Sequence, residues 1–344
     1  MFIIYAIIIF LVLVFVHELG HFMTARAVGI RVKEFALGMG PKLLKKQKGE
    51  TLYSLRAVPI GGFCAMEGED EESDDPKAFN NKPAPARALV LVAGSLMNIL
   101  FAILLLIISI FSIGTPGPTV NEITKDSPAA IAGLKPGDRI VEADGREIKE
   151  WSDLTAAVGD FAQTSRDPAA DTFTLRAEAP DGEVKTIQAS LFKDESGEYK
   201  IGVTPTMEHP PSYALKSVGY GFKAAWNMTK MMYDVLGQLF TGKAGMDQLT
   251  GPIGIVKAVD VTARHGLLYV IELAALISLN LGIVNLLPFP ALDGGRILFL
   301  VVRLFTGKRV SDSFEGKFHL VGFILLIGLM IYISVVDVGR FIVN

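Results

Sequence analysis

Four stretches of the 344-residue chain, at roughly 2–24, 88–113, 267–287 and 318–336, are apolar over lengths sufficient to cross a bilayer. A hydrocarbon core about 30 Å thick needs about 20 such residues in helical form. With 50% hydrophobic residues and a mean hydropathy of +0.41, the chain is too apolar for a soluble protein of this size and reads as a membrane protein in contact with lipid. The first stretch lacks a basic leader and a small-residue cleavage site before its histidines, so it is expected to be retained as a span.

Basic residues near the spans set the expected orientation. Arg26, Arg31, Lys33, Lys42, Lys45, Lys46 and Lys48 follow the first span; Arg296, Arg303, Lys308, Arg309 and Lys317 follow the third. Both loops are therefore expected on the cytoplasmic side, with both termini and the segment 114–266 outside. A net charge of −3 gives no case for nucleic acid, and the single Cys64 rules out an internal disulfide.

Between the spans, "TLYSLRAVPIGGFCAMEG" carries the β-prone runs and turn residues of a hairpin or small sheet. The acidic run "EGEDEESDDP" reads as a solvated loop. In "AGSLMN", Gly94, Ser95 and Asn98 are expected to face another helix, because small residues let backbones approach closely in lipid. Outside the membrane, "SPAAIAGLKPGDRIVEADGREI" combines a helix start near Ser127, a Pro136-Gly137 turn and an Asp144-Gly145 hairpin turn, the marks of a small mixed α/β module. Residues 213–240 have the apolar spacing of an amphipathic helix, lying on the membrane surface or against that module. "GPIGIV" at 251–256 reads either as a turn into a short strand or as a re-entrant segment.

The first apolar run ends in His17, Glu18 and His21, ionisable groups that are costly at membrane depth and mark function there. In His-Glu-x-x-His the two histidines stand one above the other on a helix face and can share a metal ion, while the glutamate can take a proton from a water the metal activates. A catalytic zinc site usually needs a third protein ligand. His209 and His265 are expected outside, and His319 begins the fourth span with no site-like surroundings. Asp293, in "NLLPFPALDGGRI" after the third span, is the better candidate. Prolines and glycines there make irregular backbone that is tolerated at membrane depth only when buried or lining a wet cavity. His17 lies about 24 Å along a helix entering from outside, which brings it to the same face as Asp293.

With both motifs in hand, His17-Glu18-Leu19-Gly20-His21 and Asn285-Leu286-Leu287-Pro288-Phe289-Pro290-Ala291-Leu292-Asp293-Gly294, the chain resembles the site-2 protease family of intramembrane zinc metalloproteases, in its bacterial branch. The module at roughly 117–206 resembles a PDZ domain. The resemblance implies a polytopic α-helical membrane protein with four transmembrane helices, a cytoplasmic membrane-associated β-hairpin or sheet, and an extracytoplasmic α/β PDZ domain. The implied regions are a first catalytic membrane region (1–113), the PDZ domain (114–208), a segment with the amphipathic helix and "GPIGI" (209–266), and a second catalytic membrane region (267–344). The resemblance further implies Zn²⁺ on His17, His21 and Asp293, Glu18 as the catalytic base, and Asn285 at the substrate backbone. Asn98 is carried over to substrate binding, with helix packing as the alternative, because Ser95 stands where relatives often have proline. The implied substrates are single-span membrane proteins, either anti-sigma factors already shortened by another protease or remnant signal peptides, in the bacterial cytoplasmic membrane.

Two other classes compete. A membrane-anchored PDZ adaptor with structural or no metal has no use for Glu18. A metal transporter predicts polar residues along several spans, whereas the third and fourth are mostly clean apart from Glu272, which is read as reaching the interface by snorkelling.

Overall fold

Continuous apolar sequence produces four helices long and apolar enough to cross a membrane: α1 (Phe2–Ala27), α2 (Ala84–Ile113), α7 (Leu267–Asn285) and α9 (Asp312–Val343). The computed structural model describes residues 2–69, 71, 73–194, 197–209, 213–242, 250–306 and 312–343. The chain divides into two compact units, Met1–Ser109 with Ser217–Asn344, and Ile110–Lys216.

In the first unit, β1 (Val32–Lys48) and β2 (Thr51–Met66) form a curled antiparallel sheet. Phe35, Ala36 and Leu37 pair on both sides, with 53–55 on one flank and 62–64 on the other, so two long strands make four short ones. The sheet therefore begins at Val32, well before the β-prone run at 51–66. Phe35, Cys64 and Met66 join Ala25, Val90 and Leu91 in one buried cluster that seats the sheet on α1 and α2. The acidic loop after it is only partly solvated: Arg296 pairs with Glu69, and Arg31 with Asp75.

One expectation changes at the other helices of this unit. "GPIGIV" is not a strand but opens α6 (Pro252–His265), with proline in the first turn, where its missing N–H costs nothing. The Asp337 carboxylate accepts from Gly251 N and Gly254 N at 2.9 Å each, so the last span caps this helix. Glu272 has a partner within the protein: Ser109, fully buried on α2, donates to it at 2.7 Å. α5 (Tyr213–Phe240) buries Ala225 with Ala102 and Leu106 of α2 and with Ala275 and Leu279 of α7, so one face packs on spanning helices.

The second unit is built on β3 (Thr115–Ile123), β4 (Arg139–Ala143), β5 (Arg146–Glu147), β6 (Phe173–Glu178), β7 (Val184–Ala189) and β10 (Val203–Glu208), with β8 (Phe192–Lys193) and β9 (Tyr199–Lys200) paired as a separate short ribbon. The sheet order is β10-β3-β4-β6-β7, with β5 on β4. The turn residues act as their chemistry dictates: Asp144 and Gly145 take φ of 47° and 80°, and Ser127 caps α3 (Pro128–Ile131) by accepting from Ala130 N. Ile140, Leu154, Phe173 and Leu175 form its core, packing α4 (Trp151–Thr164) on the sheet.

On the first sheet, Glu34 accepts hydrogen bonds from Ser54, Lys42 and Arg56 at 2.6, 2.9 and 2.8 Å. Burial pushes the Glu34 pKa up, but these bonds outweigh it and hold the carboxyl down at about 2. A depressed carboxylate stabilises the fold above its ordinary value of 4.5 and stops doing so as pH falls through about 2. Glu34→Gln is expected to lower stability by about 2 kcal/mol at neutral pH. The gap to the wild type should narrow steadily below the ordinary carboxylate range, as read by unfolding temperature in detergent against pH.

Candidate metal centre

α1 and α2 approach closely because each has a glycine at the crossing. A Cβ on Gly20 would lie 2.4 Å from Ala93 O, and one on Gly94 would lie 2.3 Å from His21 Nε2 and 2.9 Å from His17 Cε1. The expectation that Gly94, Ser95 and Asn98 face another helix thus acquires a reason: any side chain at 94 would occupy the space of the imidazoles. His17 and His21, one helical turn apart, are 8% and 6% exposed. Sequestered in this way, they need polar partners.

Those partners come from three directions. His21 Nδ1 lies 2.8 Å from the carbonyl of Val90. A carbonyl only accepts, so Nδ1 carries the proton and Nε2 offers a lone pair. Asn98, fully buried on α2, lies with Nδ2 3.3 Å from His17 Nδ1. Its backbone is tied to α7, since Ser278 Oγ donates to Asn98 O at 2.8 Å.

Asp293 arrives from the other motif. Pro288 and Pro290 end the helical run after α7, and Asp293 opens α8 (Asp293–Thr306). Gly294 and Gly295 let the preceding loop fold back on this helix start, where added Cβ atoms would meet Leu287 O at 2.1 Å and Phe289 O at 2.4 Å. The loop is braced by α9: Ala291 N donates to His319 Nδ1 at 2.9 Å, holding Ala291 at φ 69°. His319, which lacked site-like surroundings in sequence, thus acts on the loop two residues before Asp293.

The result is a compact triad. His17 Nε2 and His21 Nε2 are 3.2 Å apart, and Asp293 Oδ2 lies 3.2 Å from the first and 3.4 Å from the second. Among the described residues, this is the group of metal-ligand side chains whose donor atoms all fall within 4.8 Å. Bonds of about 2.0–2.1 Å to a tetrahedral zinc ion place neighbouring ligand atoms about 3.3–3.4 Å apart. The triangle therefore fits one face of such a tetrahedron, and Asp293 Oδ2 is buried with no hydrogen-bond partner among the described residues, as a ligand atom would be. Three protein ligands are the pattern of catalytic rather than structural zinc.

Glu18 is half-buried beside this triad, and the strand segment 62–66 runs past it: a Cβ on Gly62 would be 3.5 Å from Glu18 Cγ. Cys64 on the same strand is not part of this ligand group, and burial, reinforced by the Glu18 and Glu69 carboxylates, pushes its thiol pKa up. Asn285, at the C-terminal end of α7, is half-buried.

Comparison with known proteins agrees with this chemistry. The model described as Peptidase family M50 matches residues 5–329. The chain belongs to peptidase family M50, the site-2 protease family. A Clostridium acetobutylicum relative named as a candidate zinc metalloprotease is 37% identical over 98% of this chain and 97% of its own length. Zinc metalloprotease RasP of Geobacillus kaustophilus is 30% identical over 97% of both chains. Regulator of sigma-W protease RasP of Bacillus subtilis is likewise 30% identical over 97% of both. Among solved structures, the PDZ domain of an SdrC-like protein from Listeria monocytogenes aligns with 27% of this chain and 92% of its own, at 23% identity and a TM-score of 0.23. This M50 member is a membrane protein and a zinc metalloprotease.

Gly94→Ala should displace both imidazoles. The expected result is a loss of bound zinc on metal analysis and a stability loss of about 1–3 kcal/mol by thermal unfolding in detergent.

Proposed function

We propose that this M50 protease cuts transmembrane segments of single-span proteins inside the bilayer, near the cytoplasmic face. The observation that carries the reading is the triad of His17 and His21 on α1 with Asp293 at the start of α8, and a carboxylate beside it. His17, His21 and Asp293 would hold a zinc ion, which would supply Lewis-acid polarisation for the scissile carbonyl and for an attacking water. Glu18 takes the proton of that water as general base and delivers it to the leaving amine nitrogen. His21 is kept in the ligating tautomer by the Val90 carbonyl.

Substrate enters this scheme as an extended strand. A transmembrane helix protects its own peptide bonds, so its segment must unwind before a carbonyl can meet the metal. Residues 62–66 pair with β1 along one side, and their passage beside Glu18 suits them to receive an unwound segment by strand addition. Asn285, on the C-terminal turn of α7, holds the substrate backbone near the scissile bond. Residues 114–208 serve as a PDZ domain that screens substrates by their outer tails. In sequence it is flanked by the catalytic membrane region 1–113 on one side, and on the other by the connecting segment 209–266 and the catalytic membrane region 267–344. Both termini and the PDZ domain lie outside the cytoplasmic membrane, a placement the basic loops favour. The name of the Bacillus subtilis relative ties it to sigma-W regulation, which favours anti-sigma factors pre-cut by another protease; remnant signal peptides are the second substrate class.

The test uses wild type and Glu18→Gln purified in detergent, with bound zinc measured in each and a panel of single-span substrates with short outer tails supplied to both. Each protein should hold about one zinc ion. Glu18→Gln should cut within the span at least about 10²-fold more slowly. Equal cutting by the two proteins removes Glu18 from the mechanism, and absence of zinc from both removes the metalloprotease chemistry from this site.

A further inference from the structure

Both imidazoles must present Nε2 as a lone pair if they are to share one cation with Asp293, and a neutral imidazole does so only when its proton sits on Nδ1. That proton must be donated to an acceptor, and for His21 the acceptor is the Val90 carbonyl. No backbone carbonyl among the described residues takes that role for His17; the group at its Nδ1 is the Asn98 carboxamide, 3.3 Å away. The amide nitrogen faces the ring, while Asn98 Oδ1 is buried without a partner among the described residues. In that orientation His17 Nδ1 would be the acceptor, its proton would move to Nε2, and Nε2–H would point into the triad and block ligation. A half-turn of the carboxamide exchanges oxygen and nitrogen with almost no change in shape.

We propose that Asn98 is the positioning residue of His17, accepting the Nδ1 proton through Oδ1 and so fixing the tautomer that frees Nε2 for zinc. The assignment rests on the reading of His17, His21 and Asp293 as the zinc site. Two features of the fold support it. Asn98 is fully buried, on a helix held against α1 by Gly94, so its side chain is committed to the imidazole face of the crossing. The Ser278 hydroxyl grips its backbone carbonyl from α7, which fixes the depth of Asn98 opposite His17. The two histidines of one motif are thus oriented differently: His21 by a main-chain carbonyl that no substitution removes, His17 by a side chain that a single substitution can take away.

Outer-shell partners of ligating histidines typically contribute about 10–100-fold in metal affinity. The experiment compares full-length wild type, Asn98→Leu and Asn98→Asp in detergent by zinc competition against a chromophoric chelator, and by the visible absorption of the Co²⁺-substituted proteins. Asn98→Leu keeps the volume and removes the acceptor; it should bind zinc about 10–100-fold more weakly and alter the Co²⁺ bands. Asn98→Asp keeps an acceptor oxygen and should bind zinc at wild-type strength or tighter. ¹⁵N-histidine NMR should report a protonated Nδ1 at His17 in the zinc-loaded wild type and in Asn98→Asp.

The proposal is overturned if Asn98→Leu binds zinc as tightly as the wild type, which is the outcome expected of a residue that contacts substrate instead. It is equally overturned if folded Asn98→Asp loses zinc as severely as Asn98→Leu does, which marks the amide nitrogen, and not Oδ1, as the group His17 needs. Failure of the underlying site has a different signature: wild type itself then binds no zinc, or Asp293→Ala and His21→Ala leave its affinity unchanged.

Discussion

Everything in the site follows from the close crossing of α1 and α2. Two histidines and a glutamate in an otherwise apolar helix are costly to bury, and the cost is offset only where polar partners and a cation-binding geometry converge. Gly20 and Gly94 bring the helices near enough for the imidazoles to lie on the α2 backbone, where they meet the Val90 carbonyl and the Asn98 amide. With a larger residue at either position the rings would turn toward lipid, and Asp293 would face an empty space. The curled sheet and the α7–α8 loop are arranged around this crossing: one passes the glutamate, the other delivers Asp293, the third candidate ligand.

Much of this was legible in the sequence because membrane spans and metal motifs use local rules. An uninterrupted apolar run is a helix in lipid for want of any other way to satisfy its backbone. Within it, His17 and His21 share a face because of their spacing. Asp293 was reached by depth and by its prolines and glycines, which is weaker reasoning, and the two motifs together carried the family resemblance. Turn chemistry was equally readable at Asp144-Gly145 and at Ser127.

What stayed hidden is of two kinds. Backbone groups leave no mark in a sequence, so the role of the Val90 carbonyl had no signal to give. Contacts between distant segments are also silent, as with Ser109 on Glu272, Arg296 on Glu69 and Asp337 on the start of α6. Local propensity misled at "GPIGIV", where β-branched residues suggested a strand and tertiary capping produced a helix. It also understated the sheet, since the lysine-rich stretch 42–48 reads as a basic loop yet pairs residue by residue with 51–56.

The contact between His319 and the Ala291 amide changes what counts as the site. Ala291 sits in a backbone conformation that a residue with a β-carbon avoids, and an imidazole from the last helix holds it there. Gly322 on the same helix lets Pro290 press in, since a Cβ there would lie 2.1 Å from the proline ring. The last helix is thus a wall of the candidate metal centre as well as one of the four helices apolar enough to cross the bilayer. A chain cut short before residue 312 would keep every candidate ligand side chain and lose the brace that aims one of them. Such a fragment would carry both signature motifs and still be an incomplete enzyme.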